Sequence, residues 1–198
     1  MLARRAPGPV FLTIGHSNRR LEDFLELLKA SRVECVVDVR KMTRSRANPQ
    51  FNESTLPAAL AEEGMGYEHL AALGGLRGKA AAGVPGVLNG NWRNASFHRY
   101  ADYALSDAFR QGLRQLLSEG QRRRCAIMCA EALWWRCHRR IVADYLIASG
   151  CEVRHIMGAG RVEEARLTEG AVVREDLSVV YPPHDAGGGE PHDESKIA

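Results

Sequence analysis

Short apolar, β-branched runs alternate with stretches of helical period along most of this chain, and that alternation limits the fold more than any other feature. VFLTIG (10–15) is followed by Leu21, Phe24, Leu25 and Leu28 at helical spacing. Then comes VECVVDV (33–39), a continuous apolar run of the kind buried on both faces of a sheet. Ser17 or Asn18 stands where a cap for the intervening helix is expected. A second helix is expected over about 54–63, with Pro57 in its first turn and Gly64 ending it before the strand MGYEHL. FHRYADYALS and DAFRQGLRQLL return to helical spacing, with Ser106 as a cap and Phe109, Leu113, Leu116 and Leu117 as a core-facing stripe. RCAIMC (124–129), RCHRRIVADYLIAS (136–149) and CEVRHIM (151–157) read as strand, helix and strand. The repeated β-α-β order predicts an α/β fold: an open, mostly parallel sheet with helices on both faces and right-handed crossovers.

The expected boundaries are a flexible N-terminus over 1–9, a single α/β domain over 10–181, and a polar, Gly/Pro-rich disordered tail over 182–198. Within the domain, about 71–95 is glycine-rich without sustained period, the length and composition of a lid or binding loop. No apolar run has the eighteen or so residues a membrane span needs, and VFLTIG is too short for a signal-peptide core, so a cytoplasmic protein without a membrane partner is expected. Five cysteines, at 35, 125, 129, 137 and 151, are an odd number at low density and read as reduced thiols. Of 27 cationic residues only Lys29, Lys41, Lys79 and Lys196 are lysines. That bias suits anion recognition and equally suits a base-composition effect, and nothing in the chain sets an oligomeric state.

In a parallel sheet, ligands bind beyond the carboxyl ends of the strands. That rim receives Gly15-His16-Ser17, Asp38-Val39-Arg40 and Cys129-Ala130-Glu131, with Ser45 and Arg46 of TRSRANPQF extending it. An anionic small molecule or a nucleic acid is the partner such groups fit, with Arg40, Arg46 and Arg136 holding the anion. Taken alone, Asp38 and Arg40 fit a mutual ion pair equally well.

The segments TIGHSN, VVDVRKMTRSR, GMGYEHLAALGG and CAEALWWRCHR, in this order and spanning most of 11–156, resemble the domain of unknown function 488 family. The resemblance implies that Cys129 and Cys137 correspond to the family's two closely spaced cysteines. It implies no reaction and no cofactor.

Four chemistries fit CAEALWWRCHRR. In the first, Cys129 is a nucleophile at a strand end ahead of a helix N-terminus, with Arg136 and His138 stabilising its thiolate and Glu131 and Asp38 serving acid–base roles. His16, Ser17, Arg40, Ser45, Arg46, Arg136 and Cys137 then surround the substrate. In the second, VVDVR resembles the strand end of sulfurtransferases, yet six residues separate Cys129 from Arg136, one more than a phosphatase cradle holds. The third uses the thiols as metal ligands with His138 and His16, or as a redox pair. Against a metal stand the missing CxxC knuckle and the divergence of consecutive residues on a helix. The fourth is a non-catalytic nucleotide or nucleic-acid module, in which arginines meet phosphates and Trp92, Trp134 or Trp135 stacks on bases. A cysteine-dependent enzyme acting on an anionic substrate is the leading expectation.

Overall fold

The structure is a computed structural model and describes residues 8–78 and 85–183. The N-terminal segment before residue 8, most of the expected tail, and 79–84 of the long loop lie outside the described residues.

The elements run β1 (Val10–Gly15), α1 (Leu21–Ala30), β2 (Cys35–Asp38), α2 (Leu56–Glu62), β3 (Gly66–His69), α3 (Ala95–Ala104), α4 (Asp107–Arg122), β4 (Cys125–Cys129), α5 (Arg139–Ala148), β5 (Glu152–Gly158) and β6 (Arg161–Glu164). They form one six-stranded sheet in the order β3-β2-β4-β1-β5-β6. Its first five strands are parallel, and β6 joins β5 as an antiparallel edge. A separate ribbon pairs β7 (Val172–Val173) with β8 (Val179–Val180).

The apolar runs are continuous because successive side chains enter different cores. Leu12, Ile14, Val36, Ala126 and Met128 meet Phe24 and Leu28 of α1 and Leu60 of α2. Phe11, Val37, Ile127 and Cys129 face the opposite way, against Tyr100 of α3, Phe109 and Leu116 of α4 and Ile141 of α5. Each such fully buried Leu, Ile or Phe contributes about 1.5–3 kcal/mol. The split of helices follows the strand order: chain progress from β1 to β3 moves one way across the sheet, and from β3 to β5 the other, so right-handed crossovers place α1 and α2 on one face and the rest on the other.

Local details differ from the sequence reading in three places. Helix α1 has Arg20 at its cap position with no side-chain cap bond, while Ser17 adopts a positive φ of 49° in the turn after β1. Its termini are stabilised instead by Glu22 and Asp23 in the first turn and Lys29 in the last. Ser106 does cap α4, accepting the Phe109 N–H. Helix α5 begins three residues later than its periodicity indicates, because Trp134–Arg136 form a separate 3-10 turn and Cys137 is extended (φ −124°, ψ 146°). The 71–95 loop is organised over its described part by 3-10 turns at Ala71–Leu73 and Gly86–Asn89. Hydroxyls of Tyr100 and Tyr103 donate to the carbonyls of Leu73 and Ala72, and the Arg77 guanidinium lies 3.7 Å over the Tyr103 ring. Among the described residues, no helix is long and apolar enough to cross a membrane.

Candidate active site

Strands β2 and β4 are neighbours whose outgoing connections lead to opposite faces, through α2 and α5. A crevice therefore opens beyond their carboxyl ends. The cleft there has a volume of about 480 Å³. Arg40 and Lys41 follow β2 into it, Cys129 ends β4 and Ala130 and Glu131 follow it, and Arg136, Cys137 and His138 come from the approach to α5. Apolar walls are supplied by Met42, Leu76, Phe97 and Tyr100.

The cleft floor carries three converging groups. His138 Nε2 lies 3.1 Å from the Val39 carbonyl and donates its hydrogen there, so Nδ1 faces the sulfurs: as imidazolium it donates to a thiolate, and as neutral imidazole it offers a lone pair. That nitrogen stands 3.9 Å from Cys129 Sγ and 3.7 Å from Cys137 Sγ, and the three donor atoms all lie within 4.8 Å of one another. Gly75 makes the approach possible: a Cβ there would sit 2.8 Å from His138 Nδ1. Gly15 plays the same part on the other side, since its Cβ would collide with the Glu131 carbonyl.

The two thiols are driven apart in acidity. A hydrogen bond from Cys137, then His138 and the Arg139 charge, pull the Cys129 thiol well below its ordinary range against the opposing cost of burial. Burial, with donation to Cys129, pushes Cys137 well above it. Of the pair, Cys129 is the more acidic thiol and Cys137 the less acidic. Arg139 explains why a negative charge on Cys129 is tolerated. Its side chain is 1 % exposed, its Nη1 and Nη2 donate to the carbonyls of Ile14 and Ala132, and no carboxylate pairs with it among the described residues. A buried cation without a carboxylate favours an anion nearby, which lowers the pKa of Cys129.

Asp38 and Arg40 take the ion-pair alternative. Arg40 donates from Nε at 2.9 Å and from Nη2 at 2.6 Å to the Asp38 carboxylate, which also accepts from the Arg40 backbone N–H and the Tyr67 hydroxyl. Asp38 is fully buried and does not line the cleft. The remaining guanidinium bonds of Arg40 go to the Phe51 carbonyl and to His16 Nε2. His16 stacks on Phe51 with its centroid 4.4 Å away, and its Nδ1 donates to the Ser17 carbonyl, so both ring nitrogens are occupied and it stands behind the cleft. Burial lowers its pKa, with the Arg40 charge adding to the effect. Ser17 lies outside the cleft lining and extends the β1–β4 ladder, its N–H donating to the Ala130 carbonyl as that of His16 does to Cys129. Glu131 lines the cleft but accepts from the Leu133 N–H rather than holding His138. Ser45 caps the turn at Asn48, and Arg46 is exposed; neither lines the cleft.

Sequence reasoning missed the apolar walls. Phe97 and Tyr100 stand there only within the helical stretch FHRYADYALS, and Met42 and Leu76 carry no local signal. The aromatic groups proposed for base stacking are largely committed internally. Trp134 stacks on His155 at 4.3 Å, Trp92 stacks on Phe97 at 4.8 Å, and Arg140 lies between the two indoles while donating to Thr168.

Comparison with curated proteins and with solved structures gives no match. The family model described as Domain of unknown function DUF488 matches residues 20–146, from the start of α1 into α5, and takes in Arg40, Gly75, Cys129, Cys137 and His138. β1 and His16 precede the matched stretch, but the cleft lies within it, and the match covers more than half of the chain: this protein belongs to the DUF488 family.

Proposed function

We propose that the protein is a cysteine-dependent enzyme in which the Cys129 thiolate attacks an electrophilic centre carried on an anionic substrate. The observation that carries this reading is the placement of Cys129 Sγ beside His138 Nδ1 and Cys137 Sγ at the floor of an open cleft of about 480 Å³. Cys151 is an internal contrast: it is as buried as Cys129, at 8 % exposure, but burial alone raises its pKa and it has no place in the cleft. In the proposed reaction the Cys129 sulfur donates an electron pair to the electrophile, a bond to sulfur forms, and the leaving group departs with its own pair. The leaving group takes its proton from Nδ1 of a protonated His138, 3.9 Å from the Cys129 sulfur, with Glu131 the carboxylate at the cleft wall.

Substrate shape follows from the lining. Met42, Leu76, Phe97 and Tyr100 suit an apolar or planar portion, while Arg136 and Lys41 supply positive charge for an anionic portion. Arg40 contributes less to anion binding than its position indicates, because its charge is matched by Asp38.

Paired alkylation rates test the reading. Iodoacetate and iodoacetamide share a reaction and differ in charge, so Cys129 should react with iodoacetate disproportionately fast, and Arg136→Ala should remove that preference while the iodoacetamide rate persists. Equal preferences in the parent and Arg136→Ala proteins would refute the anion site, and slow reaction of Cys129 with both reagents would refute the nucleophile.

A further inference from the structure

The same three side chains have a second capability, independent of any attack by Cys129. We infer that Cys129, Cys137 and His138 form a site for one thiophilic divalent cation of the Zn²⁺ type, with the fourth coordination position opening into the cleft. Distances carry the argument first. A tetrahedral zinc ion, with bonds of about 2.3 Å to sulfur and about 2.0 Å to nitrogen, sets S···N edges of roughly 3.5 Å and an S···S edge of roughly 3.8 Å. The two S···N separations here are 3.9 and 3.7 Å, and no donor pair exceeds 4.8 Å. Closure needs shifts of a few tenths of an ångström at the sulfur–nitrogen edges and of at most about 1 Å between the sulfurs, within the reach of χ rotations.

The imidazole in its neutral form is held for ligation. Donation from Nε2 to the Val39 carbonyl turns the Nδ1 lone pair toward both sulfurs, the arrangement by which a metal-binding histidine is oriented by its other nitrogen. The objection that consecutive residues on a helix diverge does not apply, since Cys137 is extended and His138 is only the cap of α5. His16 is excluded as a ligand because Ser17 and Arg40 occupy its nitrogens.

Donor chemistry and surroundings select the ion. Two sulfurs and one imidazole suit zinc and similar borderline or soft ions and disfavour Mg²⁺ and Ca²⁺, which seek oxygen. The buried Arg139 guanidinium favours the deprotonated sulfurs that ligation requires. Gly75 keeps a side chain out of the space before Nδ1. Because the three donors line the cleft, an ion held by them presents its remaining position to whatever enters. Ligation uses the sulfur electrons that a nucleophile would use, so the ion-loaded chain is protected from electrophiles and the metal-free chain is reactive.

Cobalt provides the probe. Reduced, chelator-stripped protein titrated anaerobically with Co²⁺ should take up one ion per chain, with thiolate-to-cobalt charge-transfer absorption and the intense visible bands of a tetrahedral centre, both abolished by equimolar Zn²⁺. Cys129→Ser and Cys137→Ser should each weaken binding by more than about 100-fold, since even loss of an outer-shell partner costs roughly 10–100-fold. Cys151→Ser should bind like the parent. Should a cysteine variant fail to fold, the parent decides: Zn²⁺ should protect Cys129 and Cys137 from alkylation, and a chelator should restore labelling. No charge-transfer band, binding unchanged in both variants, or labelling indifferent to Zn²⁺ would overturn the site. Reactivity of the stripped protein is read separately, so failure of the metal site leaves the proposed thiol chemistry standing, and the converse.

Discussion

Arg40 offers the sharpest separation between a structural and a ligand-binding role. With exposures of 5 % for Arg40 and 0 % for Asp38, the pair is withdrawn from water, and Arg40 also satisfies the Phe51 carbonyl and His16 Nε2. Arg40→Ala leaves a buried carboxylate with the Tyr67 hydroxyl and the backbone N–H of residue 40 as its partners. Breaking a buried pair from one side costs about 3–5 kcal/mol. For a domain of this size that corresponds to a fall in Tm of roughly 6–20 °C. Urea denaturation at neutral pH, read by tryptophan fluorescence, gives the free energy directly. Adding Asp38→Asn to Arg40→Ala should recover part of the loss, because the uncompensated charge is then gone. A loss below about 1 kcal/mol, or strict additivity of the two substitutions, would refute the buried-pair account and return Arg40 to the list of free anion-binding groups.

Two other perturbations test separate parts of the structure. His155 is buried, stacked on Trp134, with its Nδ1 2.8 Å from Thr13 Oγ1, and burial followed by the Arg139 charge lowers its pKa to about 4. The unfolded chain, with an ordinary value near 6.5, binds a proton that the folded chain refuses between these pH values, so stability is complete above about pH 6.5 and falls as pH drops toward 4. Between about pH 7.5 and about pH 5 the contribution is on the order of 2 kcal/mol; parent and His155→Gln unfolding curves at both pH values should differ by that much in their pH dependence, and parallel curves would contradict it. Gly75→Ala should cost about 1–3 kcal/mol by overpacking and slow the alkylation of Cys129, because the new methyl would displace the His138 ring; an unchanged rate would show that His138 does not govern the thiol.

The meeting of strand ends at one rim was legible in the sequence because fully buried parallel strands announce themselves as unbroken apolar runs such as VECVVDV and RCAIMC, whereas the strand order was not. Individual polar roles were not. Arg136, Arg139 and Arg140 occupy one short stretch, yet the first is exposed, the second is 1 % exposed beneath the cleft, and the third spans two indoles. What separates them is the late start of α5 and the extended Cys137, which helical periodicity over 136–149 conceals. The same backbone detail turns Cys137 and His138 toward one point, where an uninterrupted helix would separate them. Asp38 ends β2 and Arg40 follows it, but their mutual neutralisation depends on burial, which spacing does not encode. Phe97 and Tyr100 reach the cleft from a helix distant in sequence, a contact made only by the packing of α3 against β4 and α5.

Cys129 differs from Cys151, a thiol of equal exposure, in its neighbours, and from Cys35, which Cys125 also makes more acidic, in opening to the cleft. Substoichiometric alkylation of the reduced, metal-free protein, followed by peptide mapping, measures that order directly. Cys129 should be modified first and Cys35, Cys125 and Cys151 last, with Cys151 slow despite sharing the 8 % exposure of Cys129. Preferential labelling of any of those three, or labelling of Cys129 and Cys151 at equal rates, would contradict the account.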